Sequence, residues 1–246
     1  MIPMNTTNAL AAVLTAISLA SIPSAGEAQD RPAPATATLD AAHPTVVELY
    51  QSQGCSSCPP ALKNIAAIAD RPGVLALTFA VTYWDQLGWK DSFASPAYTQ
   101  RQWDYAKGLH HDSVWTPQVI VDGRHDVVGA RAGDIDALLA GAARLHAPAL
   151  TLAAASVAIG AATAPASGAE VWLVRYDPRT IQVAIKAGEN GGRTLGHRNV
   201  VRQLVRLGRW TGPATTLPFA AAPAGLATAV LVQLPQGGPI IAAVRG

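Results

Sequence analysis

The 246-residue chain has two cysteines, Cys55 and Cys58, with two residues between them in the stretch QSQGCSSCPP of residues 51–60. Two thiols at this spacing can close a small disulfide ring at the first turn of a helix. The free N–H groups and partial positive charge of a helix N-terminus stabilise a thiolate there. We therefore predict that Cys55 is the attacking nucleophile and that Cys58 resolves the mixed disulfide.

Two other interpretations of the pair stay open, an inert disulfide and a metal site. So short a ring removes little entropy from the unfolded chain, which makes it a weak structural staple. Structural zinc needs four ligands, and the sequence has no second C-x-x-C. His111 is a candidate third ligand, because two thiolates and an imidazole suit Cu(I), or zinc with an open position. A solvent-exposed loop histidine is the alternative for His111.

The segments around the cysteines read as a strand, a helix and a second strand. Residues 45–50 are β-branched and apolar, residues 61–70 have helical spacing of apolar side chains, and residues 74–81 form a second apolar run. Pro59 and Pro60 suit the first turn of the helix, where no N–H is needed. This order predicts two parallel strands with a right-handed crossover.

The next segment predicts a helical insertion followed by a hairpin. Asp122-Gly123 between two apolar runs is a strong hairpin signal. The predicted elements are an insertion over 84–108, a helix over 98–109, strands over 117–121 and 126–130, and a final helix over 133–145.

The loops that follow the two parallel strands should meet at one edge of the sheet, which is where ligands bind in such sheets. Cys55 follows the first strand, and Trp84 and Asp85 follow the second. We expect Asp85 to perturb the thiol pair or relay a proton, and Trp84 and Trp89 to wall a substrate groove. The alternatives are that the tryptophans form the core of the insertion and that Asp85 caps a turn.

From residue 150 onward, short strands alternate with Gly and Pro turns, which predicts a β-rich, sandwich-like part. The glycine-rich residues 188–196 lack the phosphate-loop pattern and read as a connection. Residues 199–210 suit either a helix or a strand, and we favour a strand because the neighbouring segments are strands. The predicted strands of this part include residues 150–159, 171–176, 181–187, 227–234 and 239–244.

The N-terminus has the pattern of an export signal. Residues 9–22 are an apolar run too short for a confident membrane span, followed by small residues that suit cleavage after Ala25 or Ala28. An uncleaved anchor is the alternative. Export predicts a periplasmic or secreted protein without a membrane span after cleavage. A disulfide between Cys55 and Cys58 would persist in that oxidising compartment.

Composition and missing motifs exclude several classes of function. Half of the residues are hydrophobic and 14% are charged, so extended disorder is excluded. The formal net charge of +2 is too small to indicate nucleic-acid binding. The chain has neither a G-x-S-x-G elbow nor an H-E-x-x-H helix, so nothing in it indicates a hydrolase.

The order of strand, C-x-x-C, helix, strand and a Thr-Pro opening a hairpin resembles the thioredoxin fold. The resemblance implies a cis bond at Thr116–Pro117, with Pro117 against the cysteines and its neighbours pairing with an extended substrate. Thr116 and Pro117 are therefore candidate substrate-binding residues. The long separation between Cys58 and Pro117 implies that residues 84–108 are an insertion into that fold.

A narrower resemblance rests on several stretches taken together: VVELYQSQGCSSCPPA, TYWDQLGWKDSF, the T-x-R-Q-x-x-Y-A pattern of residues 99–106, VWTPQVIVDG and GENGGRTLGHRNVV. They are similar to a bacterial family of exported, thioredoxin-like proteins catalogued as domain of unknown function 1223. The resemblance spans residues 45–244 and implies fold and export. Because it includes the last stretch, Arg193, His197 and Asn199 are candidates to cover the thiol edge.

Together these observations predict an α/β protein, a thioredoxin-like domain with a helical insertion followed by a β-rich, sandwich-like C-terminal domain. The predicted divisions are a signal peptide over 1–28, a linker over 29–43, and domains over 44–146 and 149–246. The predicted activity is thiol–disulfide exchange on extracytoplasmic protein or small-molecule thiols and disulfides. No organic cofactor is implied, because the cysteines carry the electrons. The alternatives are a periplasmic copper or other metal carrier and a non-catalytic thioredoxin-like binding protein.

Overall fold

The computed structural model describes residues 43–142 and 148–246. The predicted signal peptide and all of the predicted linker except His43 lie outside the described residues, as do residues 143–147. The signal peptide and export therefore stay predictions. Among the described residues, no helix combines the length and the apolar character that a membrane span would need.

The first half of the described chain begins with two parallel strands joined by a crossover helix. Its elements are β1 (Thr45–Gln51), α1 (Pro59–Ile68), β2 (Val74–Ala80), α2 (Pro96–Gly108), β3 (Gln118–Val121), β4 (His125–Val127) and α3 (Ala132–Gly141). β1 and β2 run parallel, as predicted, and β3 pairs with β1 in the antiparallel sense. Two prolines begin α1, and the Ser95 hydroxyl caps α2 by accepting a hydrogen bond from the Ala97 N–H.

The second half consists of strands in the part that the structure describes. They are β5 (Leu150–Ala153), β6 (Ser156–Ile159), β7 (Ala169–Asp177), β8 (Ile181–Ala184), β9 (Thr194–His197), β10 (Val200–Trp210), β11 (Thr215–Pro218), β12 (Ala227–Gln233) and β13 (Ile240–Arg245). The preference for a strand over residues 199–210 is confirmed by β10. The gap between β8 and β9 contains the glycine-rich connection.

Strands from both halves form one mixed eight-stranded sheet in the order β13-β12-β7-β10-β2-β1-β3-β4. The junction is between β2 and β10, which run parallel with Val200 opposite Thr78. Three further strands form a second sheet in the order β11-β6-β5, and β8 and β9 form a separate hairpin. The described chain is therefore mainly β-structure with three helices.

This architecture shows that the predicted fold class is wrong. We expected an α/β, thioredoxin-like domain and then a sandwich-like β-rich domain. Instead, four strands of the second half extend the sheet of the first. The physical reason is that β2 is completely buried, so the backbone groups on its outer edge need a partner strand. The domain ranges 44–146 and 149–246 stay predictions, because a shared sheet does not show whether either segment folds alone.

The sheet has apolar side chains on both faces, and each face is covered by different elements. Alternate residues of β1 point to opposite faces, with Val46 and Tyr50 in one cluster and Val47 and Leu49 in the other. Tyr98 and Tyr105 of α2 pack on the first face. The second face is covered by apolar residues of α1, of α3 and of the β8–β9 hairpin.

Candidate functional site

The cysteine loop, which we define as residues 52–58, connects β1 to α1 and contains both cysteines. Cys55 and Cys58 form a disulfide with their Cα atoms 5.4 Å apart. Cys58 is the N-cap residue of α1, and the Leu62 N–H donates to its carbonyl oxygen. The predicted position of the pair at a helix N-terminus is therefore confirmed. Both cysteine side chains are completely buried, whereas Ser56 and Ser57 between them are exposed.

Ser57 links the disulfide to the Thr116–Pro117 segment. Its hydroxyl oxygen lies 3.3 Å from the Cys55 Sγ and donates to the Thr116 carbonyl oxygen at 3.4 Å. The Thr116–Pro117 peptide bond is cis, as the resemblance to the thioredoxin fold implies, and Pro117 is buried. The structure thus brings Thr116 next to the cysteine loop, and substrate binding by this segment stays a prediction.

Of the two tryptophans predicted to wall a groove, Trp89 binds a residue of the cysteine loop and Trp84 binds Thr116 beside it. The Trp84 indole N–H donates to the Thr116 hydroxyl at 2.8 Å, and the Trp89 indole N–H donates to the Gln53 side-chain oxygen at 2.9 Å. Each tryptophan is half-buried. They hold the surroundings of the disulfide in place, and their role in a substrate groove stays a prediction.

Asp85 acts locally, on the backbone of its own loop. Its carboxylate accepts a hydrogen bond from the Asp91 N–H at 3.0 Å, which matches the turn-capping alternative. Asp91, which the sequence analysis missed, contacts the cysteine loop directly by accepting from the Gln53 N–H at 2.7 Å. Burial raises the pKa of the Asp91 carboxyl from 3.8 to about 6. A relay of protons through Asp85 stays a prediction.

Two further residues that the sequence analysis missed lie on the connection between β8 and β9. The Glu189 carboxylate accepts hydrogen bonds from the Ser56 N–H at 3.2 Å and the Ser56 hydroxyl at 2.6 Å. The Asn190 amide donates to the Cys55 carbonyl oxygen at 2.8 Å and to the Gln53 carbonyl oxygen at 2.9 Å. The only signal for them was the stretch GENGGR within the family resemblance.

The residues predicted from that stretch lie around this contact and do not form it. Arg193 donates to the Asn190 side-chain oxygen at 2.8 Å, so it helps to fix the orientation of the Asn190 amide. His197 is buried at the end of β9 with its ring edge-on to Phe93, at 5.5 Å between ring centres. Asn199 donates to the Ala76 carbonyl oxygen and so joins the second half to β2.

The partners of His111 are Asp126 and Trp115, and not the two cysteines of the proposed metal set. Its Nε2 lies 3.1 Å from the Asp126 carboxylate, and its ring packs edge-on to Trp115. Within residues 43–142 and 148–246, no group of three or more His, Cys, Asp or Glu side chains is arranged to hold a metal ion. The metal set Cys55, Cys58 and His111 is therefore not assembled in this state.

The arrangement around the disulfide suits the stabilisation of a thiolate at Cys55 after reduction. The Ser57 hydroxyl lies within reach of the Cys55 sulfur, and after reduction its single hydrogen can turn from the Thr116 carbonyl oxygen to the charged sulfur. The first turn of α1 supplies the partial positive charge of a helix N-terminus. Both features favour the thiolate over the thiol, and the thiolate is the reactive form of a cysteine.

Comparison with known proteins identifies one family and two similar structures. The profile of the family described as Protein of unknown function (DUF1223) matches residues 46–233. An X-ray crystal structure of a protein from Agrobacterium tumefaciens is 30% identical, with a TM-score of 0.68 over 82% of this chain and 92% of that one. HBP35 of Porphyromonas gingivalis is 13% identical, with a TM-score of 0.52 over 83% of this chain and 74% of its own, which shows likeness of fold alone. A search of curated proteins found no match.

Proposed function

We propose that this chain, which belongs to the DUF1223 family of proteins of unknown function, is a thiol–disulfide oxidoreductase that acts through Cys55 and Cys58. Its substrates would be protein or small-molecule thiols and disulfides outside the cytoplasm, in the periplasm or beyond it. The apolar N-terminal run of residues 9–22 supports the export part of the proposal.

One observation carries the proposal, the disulfide at the N-terminus of α1 with the Ser57 hydroxyl 3.3 Å from the Cys55 sulfur. A disulfide that only staples a fold gains nothing from groups that stabilise a thiolate, and this ring is too short to constrain the unfolded chain strongly. The Ser57 hydroxyl lies next to the Cys55 sulfur. This position supports Cys55 as the sulfur that a substrate thiolate attacks and that later leaves the mixed disulfide as a thiolate.

The proposed reaction moves two electrons between a substrate dithiol and the cysteine pair. A substrate thiolate attacks the Cys55 Sγ and forms a mixed disulfide, while the electron pair of the broken bond goes to the Cys58 Sγ. A second substrate thiolate then attacks the substrate sulfur of the mixed disulfide, and Cys55 leaves as a thiolate. The substrate is thereby oxidised to a disulfide and the pair is reduced, and the reverse sequence reduces a substrate.

A second candidate, a non-catalytic binding protein with an inert disulfide, is favoured by the complete burial of both cysteines. An external thiolate needs access to a sulfur atom, and the static structure offers none. The two candidates therefore differ in whether the disulfide exchanges with thiols under native conditions.

The test is the reduction potential of the Cys55–Cys58 pair, measured by equilibration with glutathione buffers and thiol trapping. We expect a value between about −120 and −270 mV, the range of working oxidoreductases. A pair that stays oxidised below about −300 mV would behave as a structural disulfide and would contradict the proposal. Cys58→Ser should accumulate a mixed disulfide when its Cys55 thiolate attacks a substrate disulfide and releases a substrate thiolate, because no resolving thiol remains, and Cys55→Ser is its matched control.

A further inference from the structure

The disulfide is buried, and it belongs to a loop that a distant part of the chain holds in place. Cys55 and Cys58 have no exposed surface, although Ser56 and Ser57 between them face solvent. A thiolate must reach a sulfur atom to exchange with it. Exchange therefore requires the cysteine loop or the groups packed against it to move from their positions in this structure.

Four hydrogen bonds from the connection between β8 and β9 oppose that movement. Glu189 accepts from both the N–H and the hydroxyl of Ser56, and Asn190 donates to the carbonyl oxygens of Cys55 and Gln53. These bonds hold the backbone on both sides of the Cys55 side chain. β8 and β9 pair only with each other in the described part of the chain, so the hairpin is hydrogen-bonded to no strand of the main sheet.

The two residues differ in how easily their bonds can break. Asn190 is completely buried, and its side-chain oxygen accepts from Arg193 at 2.8 Å, so its side chain is held on both sides. Glu189 is exposed, and its hydrogen bonds from Ser56 lower the pKa of its carboxyl, so it is ionised at neutral pH. Water competes for an exposed carboxylate, so the Glu189 bonds are the ones that can open without unfolding the hairpin.

We propose that Glu189 and Asn190 form a latch on the cysteine loop and that release of Glu189 from Ser56 admits a thiolate to the disulfide. Asn190 is the fixed part of the latch and Glu189 is the part that opens. Glu189 is a positioning residue, because its bonds reach Ser56 and neither sulfur atom. This inference rests on the proposed function, and the step it controls is the attack of an external thiolate on the Cys55 sulfur.

The test compares rates of disulfide reduction in full-length protein for Glu189→Ala, which removes the acceptor, and Glu189→Gln, which keeps an acceptor and loses the charge. Glu170→Ala is the matched control, because Glu170 pairs with Arg206 instead of the cysteine loop. Each protein is treated with dithiothreitol, which is uncharged, and with glutathione, which is anionic. The reduction potential is measured in parallel.

We expect Glu189→Ala to accelerate reduction by both thiols roughly tenfold, since the two hydrogen bonds from Ser56 to an exposed charged group are lost. Glu189→Gln should stay within about twofold of the wild type, because its side-chain oxygen still accepts from Ser56. If both variants were reduced faster by glutathione and to the same extent, while dithiothreitol reduced them at the wild-type rate, Glu189 would act only by repelling the anionic thiol. That result would overturn the latch. Unchanged rates in Glu189→Ala would also overturn the latch.

The outcome for the wild type separates the latch from the proposed function. If the wild-type disulfide exchanges with dithiothreitol and Glu189→Ala behaves like it, only the latch fails. If the disulfide resists both thiols in the wild type and in every variant, the proposed oxidoreductase activity fails as well.

Discussion

The hydrogen-bonding groups of buried polar side chains have partners to very different degrees. The Asp91 carboxylate accepts hydrogen bonds from two backbone N–H groups, those of Gln53 and Phe93. His197 is completely buried, and in the part of the chain that the structure describes neither of its ring nitrogens has a hydrogen-bond partner. A buried polar group without a partner lowers stability, and charging it lowers stability further.

We expect His197 to make the protein less stable in mild acid. Burial lowers the pKa of its imidazole from 6.5 to about 4. The unfolded state therefore binds the proton first, so stability is fully present above about pH 6.5 and is lost as the pH falls towards 4. The loss attributable to this residue should reach about 3 kcal/mol.

His197→Phe keeps an aromatic ring against Phe93 and cannot be protonated. Urea denaturation at pH 7, 6, 5 and 4 should show the wild type losing more stability than the variant over this range. Asp91 titrates in the same window with the opposite sign, but it is present in both proteins and cancels in the comparison. Parallel stability curves for the two proteins would contradict the prediction.

At the scale of elements, α2 is attached to the sheet by a buried ion pair as well as by apolar contacts. The Arg101 guanidinium donates to the Glu48 carboxylate of β1 at 3.0 Å and to the Tyr105 hydroxyl at 3.1 Å. Arg101 also lies over the ring of Trp172, which belongs to β7. The helix therefore connects strands of both halves through one cationic side chain. Helical spacing of apolar residues does not predict such a contact.

Arg101→Leu should lower the free energy of unfolding by about 3–5 kcal/mol, because it leaves the Glu48 carboxylate buried and unpaired. Arg71→Leu is the matched control, since it removes an exposed pair with Asp136, and it should cost less than about 1 kcal/mol. Adding Glu48→Gln to Arg101→Leu should restore part of the loss, because no charge then remains buried. Chemical denaturation measures all four proteins, and equal losses for Arg101→Leu and Arg71→Leu would refute the expectation.

At the scale of the whole molecule, the main-sheet strands of the two halves are joined by a short stretch of backbone before β10. Asn199 has φ of 52°, in the left-handed region, and its side chain donates to the Ala76 carbonyl oxygen at 2.7 Å. The Thr78 N–H donates to the Asn199 carbonyl oxygen, and the Thr78 hydroxyl donates to that of Arg198. These bonds supply the outer edge of β2 with partners and start the parallel pairing with β10.

Asn199→Ala should therefore be less stable than Asn199→Gly, by about 1 kcal/mol. Both variants lose the bond to Ala76 and should be less stable than the wild type by about 1–3 kcal/mol, because a buried carbonyl loses its partner. Alanine adds the cost of a left-handed backbone, which glycine adopts freely. Thermal unfolding monitored by circular dichroism measures the order, and an alanine variant as stable as the glycine variant would contradict this account.

Local features of the sequence determined the disulfide pair, its position at the start of a helix and the parallel β1–β2 unit. The strand over residues 199–210 was inferred from the neighbouring strands, because its own spacing suits a helix as well. Periodicity, proline positions and turn residues act over a few neighbouring positions, so they can be recognised without knowledge of the tertiary structure. The cis bond at Thr116–Pro117 came from the family resemblance, and the structure confirms it.

Tertiary structure alone decided that β10 joins β2 and that Glu189 and Asn190 hold the cysteine loop. The open edge of a buried strand can pair with any strand of suitable length, so the sequence pattern does not specify which one. The bonds from Glu189 and Asn190 join a side chain to backbone or hydroxyl groups more than 130 positions away. Backbone groups look alike at every residue, and only the folded path of the chain brings these particular ones within hydrogen-bond distance.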